Sequence, residues 1–220
     1  MNHRLLNEVL IEWNESFKED SDNIFLKAED IKKSLDQYFI YKLDEKDQIR
    51  IFNPTGLWGW PEFEKYRDNV WINNKHVELD DEGWTVDWFE PGEYKVYIED
   101  IDKVTDMSWM FSNCEQLVSA FIPNSFTSIS SQAFRGCIEL TSVTIPNSVT
   151  SIDYAAFYYC NRLTSVTIPS SVTSIDESAF EGCRNLKTVY VEDINKFNQI
   201  KFGNKRADPR CYGAKVIELK

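Results

Sequence analysis

Cysteine and histidine are the residue types of this chain best suited to nucleophilic or metal chemistry. The two histidines, His3 and His76, stand in no H-x-H or H-E-x-x-H motif, and His76 follows a polar stretch that predicts a hairpin turn. No C-x-x-C pair occurs, which argues against a zinc site. We therefore predict no metal site and no Cys–His nucleophile pair. The five cysteines are Cys114, Cys137, Cys160, Cys183 and Cys211.

The spacing of the first four cysteines is constant, at 23 residues. A constant spacing places them one above another in a stack of coils, where neighbouring strands lie about 4.8 Å apart. That distance alone does not exclude disulfides, since bridged Cα atoms lie at ~4.4–6.8 Å. Each of these cysteines stands three residues after a phenylalanine, however, at an inward position, where thiols behave as small apolar side chains. We predict four buried structural thiols, with Cys211 outside the ladder and exposed.

Catalytic motifs are absent from the sequence. It contains no G-x-S-x-G motif, no phosphate-binding glycine loop and no dinucleotide fingerprint, and it has only eight glycines. The acidic run at residues 78–82 lacks the spacing of a calcium loop. The sequence therefore predicts a protein that is not an enzyme and has no cofactor.

An internal repeat explains the cysteine spacing. Three units of 23 residues span 125–147, 148–170 and 171–193, and a degenerate unit, one residue shorter, precedes them at 103–124. They share the frame V-x-x-I-x-x-x-A-F-x-x-C-x-x-L-x-x-V-x-I-P. One unit is too short to bury its apolar face alone, so the units must stack. In the middle unit the apolar positions are Val149, Ile152, Ala156, Phe157, Cys160, Leu163, Val166 and Ile168.

The frame also predicts local structure. The L-x-x-V-x-I segment alternates as a short strand does, and Pro169 ends that strand because it lacks an N–H donor. The A-F-x-x-C segment favours a single helical turn that returns the chain to the next strand.

The frame V-T-S-I-x-x-x-A-F-x-x-C-x-x-L-T-S-V-T-I-P resembles the BspA-like leucine-rich repeat family, which occurs in bacterial surface and secreted proteins. The first unit, VTDMSWMFSNCEQL, is similar to a related surface-protein repeat, and the resemblance covers about residues 92–220. It implies a short leucine-rich-repeat solenoid of the α+β class that acts by binding a protein.

The side chains between the inward strand positions define a candidate binding face of three columns. The middle of this face is serine and threonine, whereas Phe121 and Tyr190 at its ends are side chains of the kind that anchor interfaces. The first column is Val118, Thr141, Thr164 and Lys187; the second is Ser119, Ser142, Ser165 and Thr188; the third is Phe121, Thr144, Thr167 and Tyr190.

The segments outside the repeats are expected to cover the ends of the stack. Residues 1–45 predict a helical segment, with an amphipathic helix over 1–20 and a second helix over 28–38. Residues 46–102 predict a small β-rich segment, with strands near 50–52, 69–73, 83–89 and 93–100. Residues 194–220 form the other cap, with a helix over 194–202 and a strand over 215–219. The tryptophans at 58, 60, 71, 84 and 88 are expected to form the core of the front segment, with a sugar-stacking platform as the alternative.

Charge and hydropathy limit the partners. The net charge of −12 argues against nucleic acid, and no apolar run is long enough for a membrane span. No signal peptide is visible, which predicts the cytoplasm, or a surface or secreted location if a leader has been removed. A protein-binding module is the favoured function; a structural or assembly protein and, more distantly, a carbohydrate-binding module remain open, as does the oligomeric state.

Overall fold

The structure is a computed structural model that describes residues 38–54 and 63–219. The helix predicted over 1–20, the helix over 28–38 apart from its last residue, and Trp58 and Trp60 lie outside these residues. The helices are α1 (Phe63–Tyr66) and α2 (Ile194–Phe197), with 3-10 helices at Ile101–Lys103, Lys205–Ala207 and Pro209–Tyr212. The strands are β1 (Phe39–Leu43), β2 (Val70–Ile72), β3 (Lys75–Val77), β4 (Gly92–Ile98), β5 (Leu117–Phe121), β6 (Ser128–Ile129), β7 (Ser142–Thr144), β8 (Ser151–Ile152), β9 (Ser165–Ile168), β10 (Ser174–Ile175), β11 (Thr188–Val191), β12 (Lys201–Phe202) and β13 (Lys215–Glu218).

Two sheets run along the stack. The larger has the order β13-β11-β9-β7-β5-β1-β4-β2-β3. Its five repeat strands pair in parallel, namely β5, β7, β9, β11 and β13. The smaller has the order β12-β10-β8-β6 and is parallel throughout. The predicted fold class, a short leucine-rich-repeat solenoid, is confirmed.

The return segment of each coil is a series of β-turns, so the predicted helical turn is wrong. In the second coil the Ala133 N–H donates to the Ser130 carbonyl, 3.2 Å away, and Gln132 and Gly136 have positive φ angles of 57° and 72°. A helix cannot continue through left-handed residues. The Phe134 N–H donates to the Ala156 carbonyl of the next coil, 2.8 Å away, and not to a carbonyl of its own turn. The turns are therefore hydrogen-bonded between coils, as the strands are.

A column of phenylalanine rings fills the centre of the stack. Phe111, Phe134, Phe157 and Phe180 are fully buried, with neighbouring centroids 5.3–5.4 Å apart and ring planes within 10° of parallel. Phe39 of β1 packs on Phe111 with a centroid distance of 4.7 Å. The front segment and the repeats thus share one hydrophobic core.

Strand β1 lies within the segment for which we predicted helix, residues 1–45. Phe39, Tyr41 and Leu43 are buried while Ile40 and Lys42 are not, which is the period-two pattern of a strand. The prediction was wrong here because β1 is stabilised by long-range pairing, with β4 on one side and β5 on the other.

The rest of the front segment also differs from prediction. Residues 50–52 and 83–89 form only isolated bridges, including Arg50 with Trp84, where we predicted strands. Trp88 is 60% exposed and Trp71 and Trp84 are half-buried, so these tryptophans do not form the core. The core of this segment consists of aliphatic, phenylalanine and tyrosine side chains, among them Tyr41, Ile49, Ile51, Phe52 and Tyr66.

The C-terminal segment adds one strand to each sheet. β12 pairs with β10 and β13 pairs with β11, both in parallel. The helix predicted over 194–202 ends at Phe197, because residues 201–202 join the smaller sheet. Its first turn is capped by the Asp193 carboxylate, which accepts hydrogen bonds from the Asn195 and Lys196 N–H groups.

Candidate functional site

The second and third predicted columns lie in the strands of the larger sheet, whereas Thr141, Thr164 and Lys187 of the first column lie one residue before β7, β9 and β11. The third column is in direct register, since Phe121 lies opposite Thr144, Thr144 opposite Thr167, and Thr167 opposite Tyr190. All four side chains are exposed or half-buried, whereas the alternate strand residues are buried. These four side chains therefore lie on one face of the sheet.

Three side chains of the other two columns make internal hydrogen bonds. In the second, Ser119 lies opposite Ser142, and their Oγ atoms are 3.2 Å apart. In the first, Thr141 Oγ1 donates to the Val118 carbonyl, 3.1 Å away. None of these groups is arranged as a catalytic set, and the face offers hydroxyls and methyl groups to a partner.

The sheet extends this face beyond the predicted residues at the C-terminal end. β13 places Ile217 beside Tyr190 and Lys215 beside Thr188. Ile217 is 44% exposed. The repeat frame does not reach β13, so the sequence analysis missed this apolar neighbour of Tyr190.

At the opposite end the face continues over the antiparallel front strands. Ile40 lies opposite Ser119 in β5 and opposite Lys95 in β4. Trp71 lies beside His76, with ring centroids 5.3 Å apart. His76 is in β3, after the predicted turn, and its Nε2 donates to the Asp68 carbonyl, 2.7 Å away.

The cysteine ladder is buried, as predicted. Cys137, Cys160 and Cys183 each direct Sγ at the carbonyl of the phenylalanine one coil earlier, at 3.0–3.1 Å. Burial raises the pKa of Cys114 to about 12, and it also raises the pKa values of Cys137 and Cys160 well above that of an exposed thiol. Such thiols are protonated at neutral pH, so they are poor nucleophiles.

Cys211 is exposed and unbridged, and the four ladder thiols are also free. Within residues 38–54 and 63–219, no group of three or more His, Cys, Asp or Glu side chains is placed to hold a metal ion. Within the same described residues, no helix is long and apolar enough to cross a membrane.

A second surface, which the sequence analysis missed, is formed by the β-turns and is here called the turn face. It comprises residues 108–113, 131–136, 154–159 and 177–182. Tyr154 and Tyr159 are 46% and 40% exposed, and Arg135 lies between the rings of Trp109 and Tyr158. The sequence signal for this surface is the 23-residue spacing of the four segments, which places them one above another in the stack.

Comparison with known proteins supports the repeat assignment. The family model described as BspA type leucine rich repeat region matches residues 107–207 in six copies. The match continues past the predicted repeat boundary at residue 193, in accordance with the pairing of β12 with β10. No curated protein matches the chain in sequence.

Three solved structures are similar over part of the chain. A leucine rich cell surface protein from Faecalibacterium prausnitzii is 25% identical, with a TM-score of 0.39, and the match covers 60% of this chain and 42% of that one. A leucine-rich repeat protein from Bacteroides ovatus is 25% identical (TM-score 0.34; 46% and 33% covered), and one from T. pallidum is 20% identical (TM-score 0.33; 52% and 78% covered). The chain spans less than half the length of the first two. On the repeat frame, the stacked coils and the family match, residues 107–207 are a leucine-rich repeat region of the BspA type.

Proposed function

We propose that this chain is a non-enzymatic protein-binding module and that the outer face of its larger sheet contacts the partner. Repeat stacks of this kind typically present extended surfaces on which partners bind. The observation that supports the proposal is the register of the third column, which holds Phe121 and Tyr190 on one face with two threonines between them.

The separation of the two anchors indicates the size of the contact. Phe121 and Tyr190 are three strand spacings apart, which corresponds to roughly 14 Å at about 4.8 Å per strand. A ligand that contacts both must span that length over a surface of hydroxyl and methyl groups. This favours a protein surface over a small molecule.

The rigidity of the face also favours binding. Both strands and turns are hydrogen-bonded from coil to coil, and the phenylalanine column packs beneath the sheet. A surface that is already ordered loses little conformational entropy when a partner binds.

The experiment is to bind the full chain to a partner isolated from the source cells and to substitute the anchors. We expect F121S and Y190S each to weaken binding by at least tenfold, because anchor residues typically contribute more than ~1.4 kcal/mol. The matched control is Y154S, which removes an exposed tyrosine from the turn face. Unchanged affinity in the F121S/Y190S double variant would show that the sheet face is not the site.

The compartment stays a prediction. Leucine-rich repeats of this type resemble those of surface and secreted proteins, whereas the start of the sequence predicts the cytoplasm. Fractionation of the source cells separates the two, since a surface protein is digested by protease added to intact cells and a cytoplasmic one is protected.

A further inference from the structure

The turn face contains an arginine held between two aromatic rings. The guanidinium carbon of Arg135 lies 5.9 Å from the centroid of Trp109, one coil earlier, and 5.8 Å from that of Tyr158, one coil later. At these distances the guanidinium makes cation–π contacts with both rings, and its N–H groups can still donate to an acceptor.

A cleft of about 350 Å³ opens beside this arginine. Gly136 lines the cleft, and a Cβ added there would lie 2.4 Å from Asn113 Oδ1, so a larger residue would displace the Asn113 side chain. Tyr159 also lines the cleft and is 40% exposed. The lining residues are Asn113, Arg135, Gly136, Tyr158 and Tyr159.

The charge of the cleft is positive and is not balanced by its own residues. Glu181 lines a neighbouring pocket together with Arg135, and its carboxylate forms an ion pair with Arg206. Among residues 38–54 and 63–219, Arg135 makes no salt bridge. Among the residues that the structure describes, the cleft lining therefore contains one cation and no acidic side chain, although the chain as a whole has a net charge of −12.

We propose that the cleft binds the carboxylate of an acidic residue in a polypeptide partner, with a neighbouring apolar side chain packed on Tyr158 and Tyr159. The planar edge of a guanidinium pairs with a carboxylate through two parallel N–H donors. Tyr, Trp and Arg are the side chains most enriched where proteins bind one another, and here they are adjacent. The volume fits one or two peptide side chains, and the net negative charge of the chain disfavours nucleic acid. This site is separate from the sheet face and does not depend on it.

The test uses two capped peptides, acetyl-Gly-Phe-Glu-Phe-Gly-amide and its glutamine counterpart, titrated into the full ¹⁵N-labelled chain. We expect the glutamate peptide to shift the Gly136 amide resonance and to bind at least tenfold more tightly than the glutamine peptide. R135Q should weaken binding at least tenfold, and R135K, which keeps the charge but loses the planar fork, should give an intermediate loss. The matched control is R184Q, which removes an exposed arginine outside the cleft.

The controls separate this site from the sheet face and from other ligands. The F121S/Y190S double variant should bind the glutamate peptide normally, whatever its effect on the sheet-face partner. Retention of the remaining amide resonances in R135Q and R135K shows that the fold is intact. The proposal is overturned if the two peptides bind equally, if Gly136 does not shift, if R135Q binds normally, or if inorganic phosphate displaces the peptide at lower concentration than the peptide itself requires.

Discussion

The phenylalanine column makes a quantitative prediction about stability. Phe157 stacks on Phe134 and on Phe180, with both centroid distances at 5.4 Å. Substitution by leucine keeps an apolar side chain at the position but removes both ring contacts. An aromatic pair contributes about 0.5–1.5 kcal/mol beyond its buried area, so loss of two pairs should cost about 1–3 kcal/mol in addition to the change in volume.

Two further leucine variants isolate this contribution. F180L removes only one stacked pair, and F126L removes none among the described residues, although Phe126 is only 3% exposed. All three substitutions change the volume of a buried side chain equally. The loss in unfolding free energy should therefore decrease in the order F157L, F180L, F126L, with about 0.5–1.5 kcal/mol between successive variants.

Urea unfolding followed by circular dichroism measures these differences. At an m value of ~1–3 kcal/mol/M, a difference of ~2 kcal/mol between F157L and F126L moves the midpoint by roughly 1 M. If the three variants unfold at the same urea concentration, the rings contribute no more than aliphatic packing, and the column does not couple the coils.

Three further predictions follow from the buried thiols and one turn. In native protein, a thiol reagent at pH 8 should modify Cys211 alone, whereas all five cysteines should react in denaturant; more than one reactive thiol in the native state would contradict the ladder. The unfolding free energy should fall as pH rises between about 9 and about 12, because burial keeps the raised pKa of Cys114 well above its unfolded value; C114A should reduce this fall, and an identical pH profile would refute that cause. G83A should lower the unfolding free energy by more than 1 kcal/mol, since Gly83 has a φ of +77° and an added Cβ would lie 2.4 Å from the Phe52 carbonyl oxygen; a thermal melt equal to that of the wild type would count against it.

The repeat made part of the structure predictable. A constant 23-residue spacing fixes the register of neighbouring coils, so the inward positions, the cysteine ladder and the third column all followed from counting. Burial of Cys137 beside Phe134 needed no further information. The pattern is local in sequence, and the same apolar positions recur in each 23-residue unit.

Other features depend on contacts that no local pattern records. β1 is a strand because its residues pair with residues of β4 and β5 that are 49 to 79 positions away. The turns were misjudged because left-handed backbone at Gln132, Ala155 and Ser178 is uncommon for residues other than glycine. The stacking of Arg135 between Trp109 and Tyr158 depends on those turns, so this candidate site could be found only in the structure.

Site-specific photo-crosslinking tests the binding role of the sheet face most directly. Benzoylphenylalanine is introduced at Thr144, between the two anchors of the outer face, or at Thr150, which is also exposed and precedes strand β8 of the smaller sheet. We expect a defined protein adduct in source cells from position 144 only, and its loss when F121S and Y190S are added to the same chain. An equal adduct from position 150, or an adduct at 144 that survives both anchor substitutions, would contradict binding through this face.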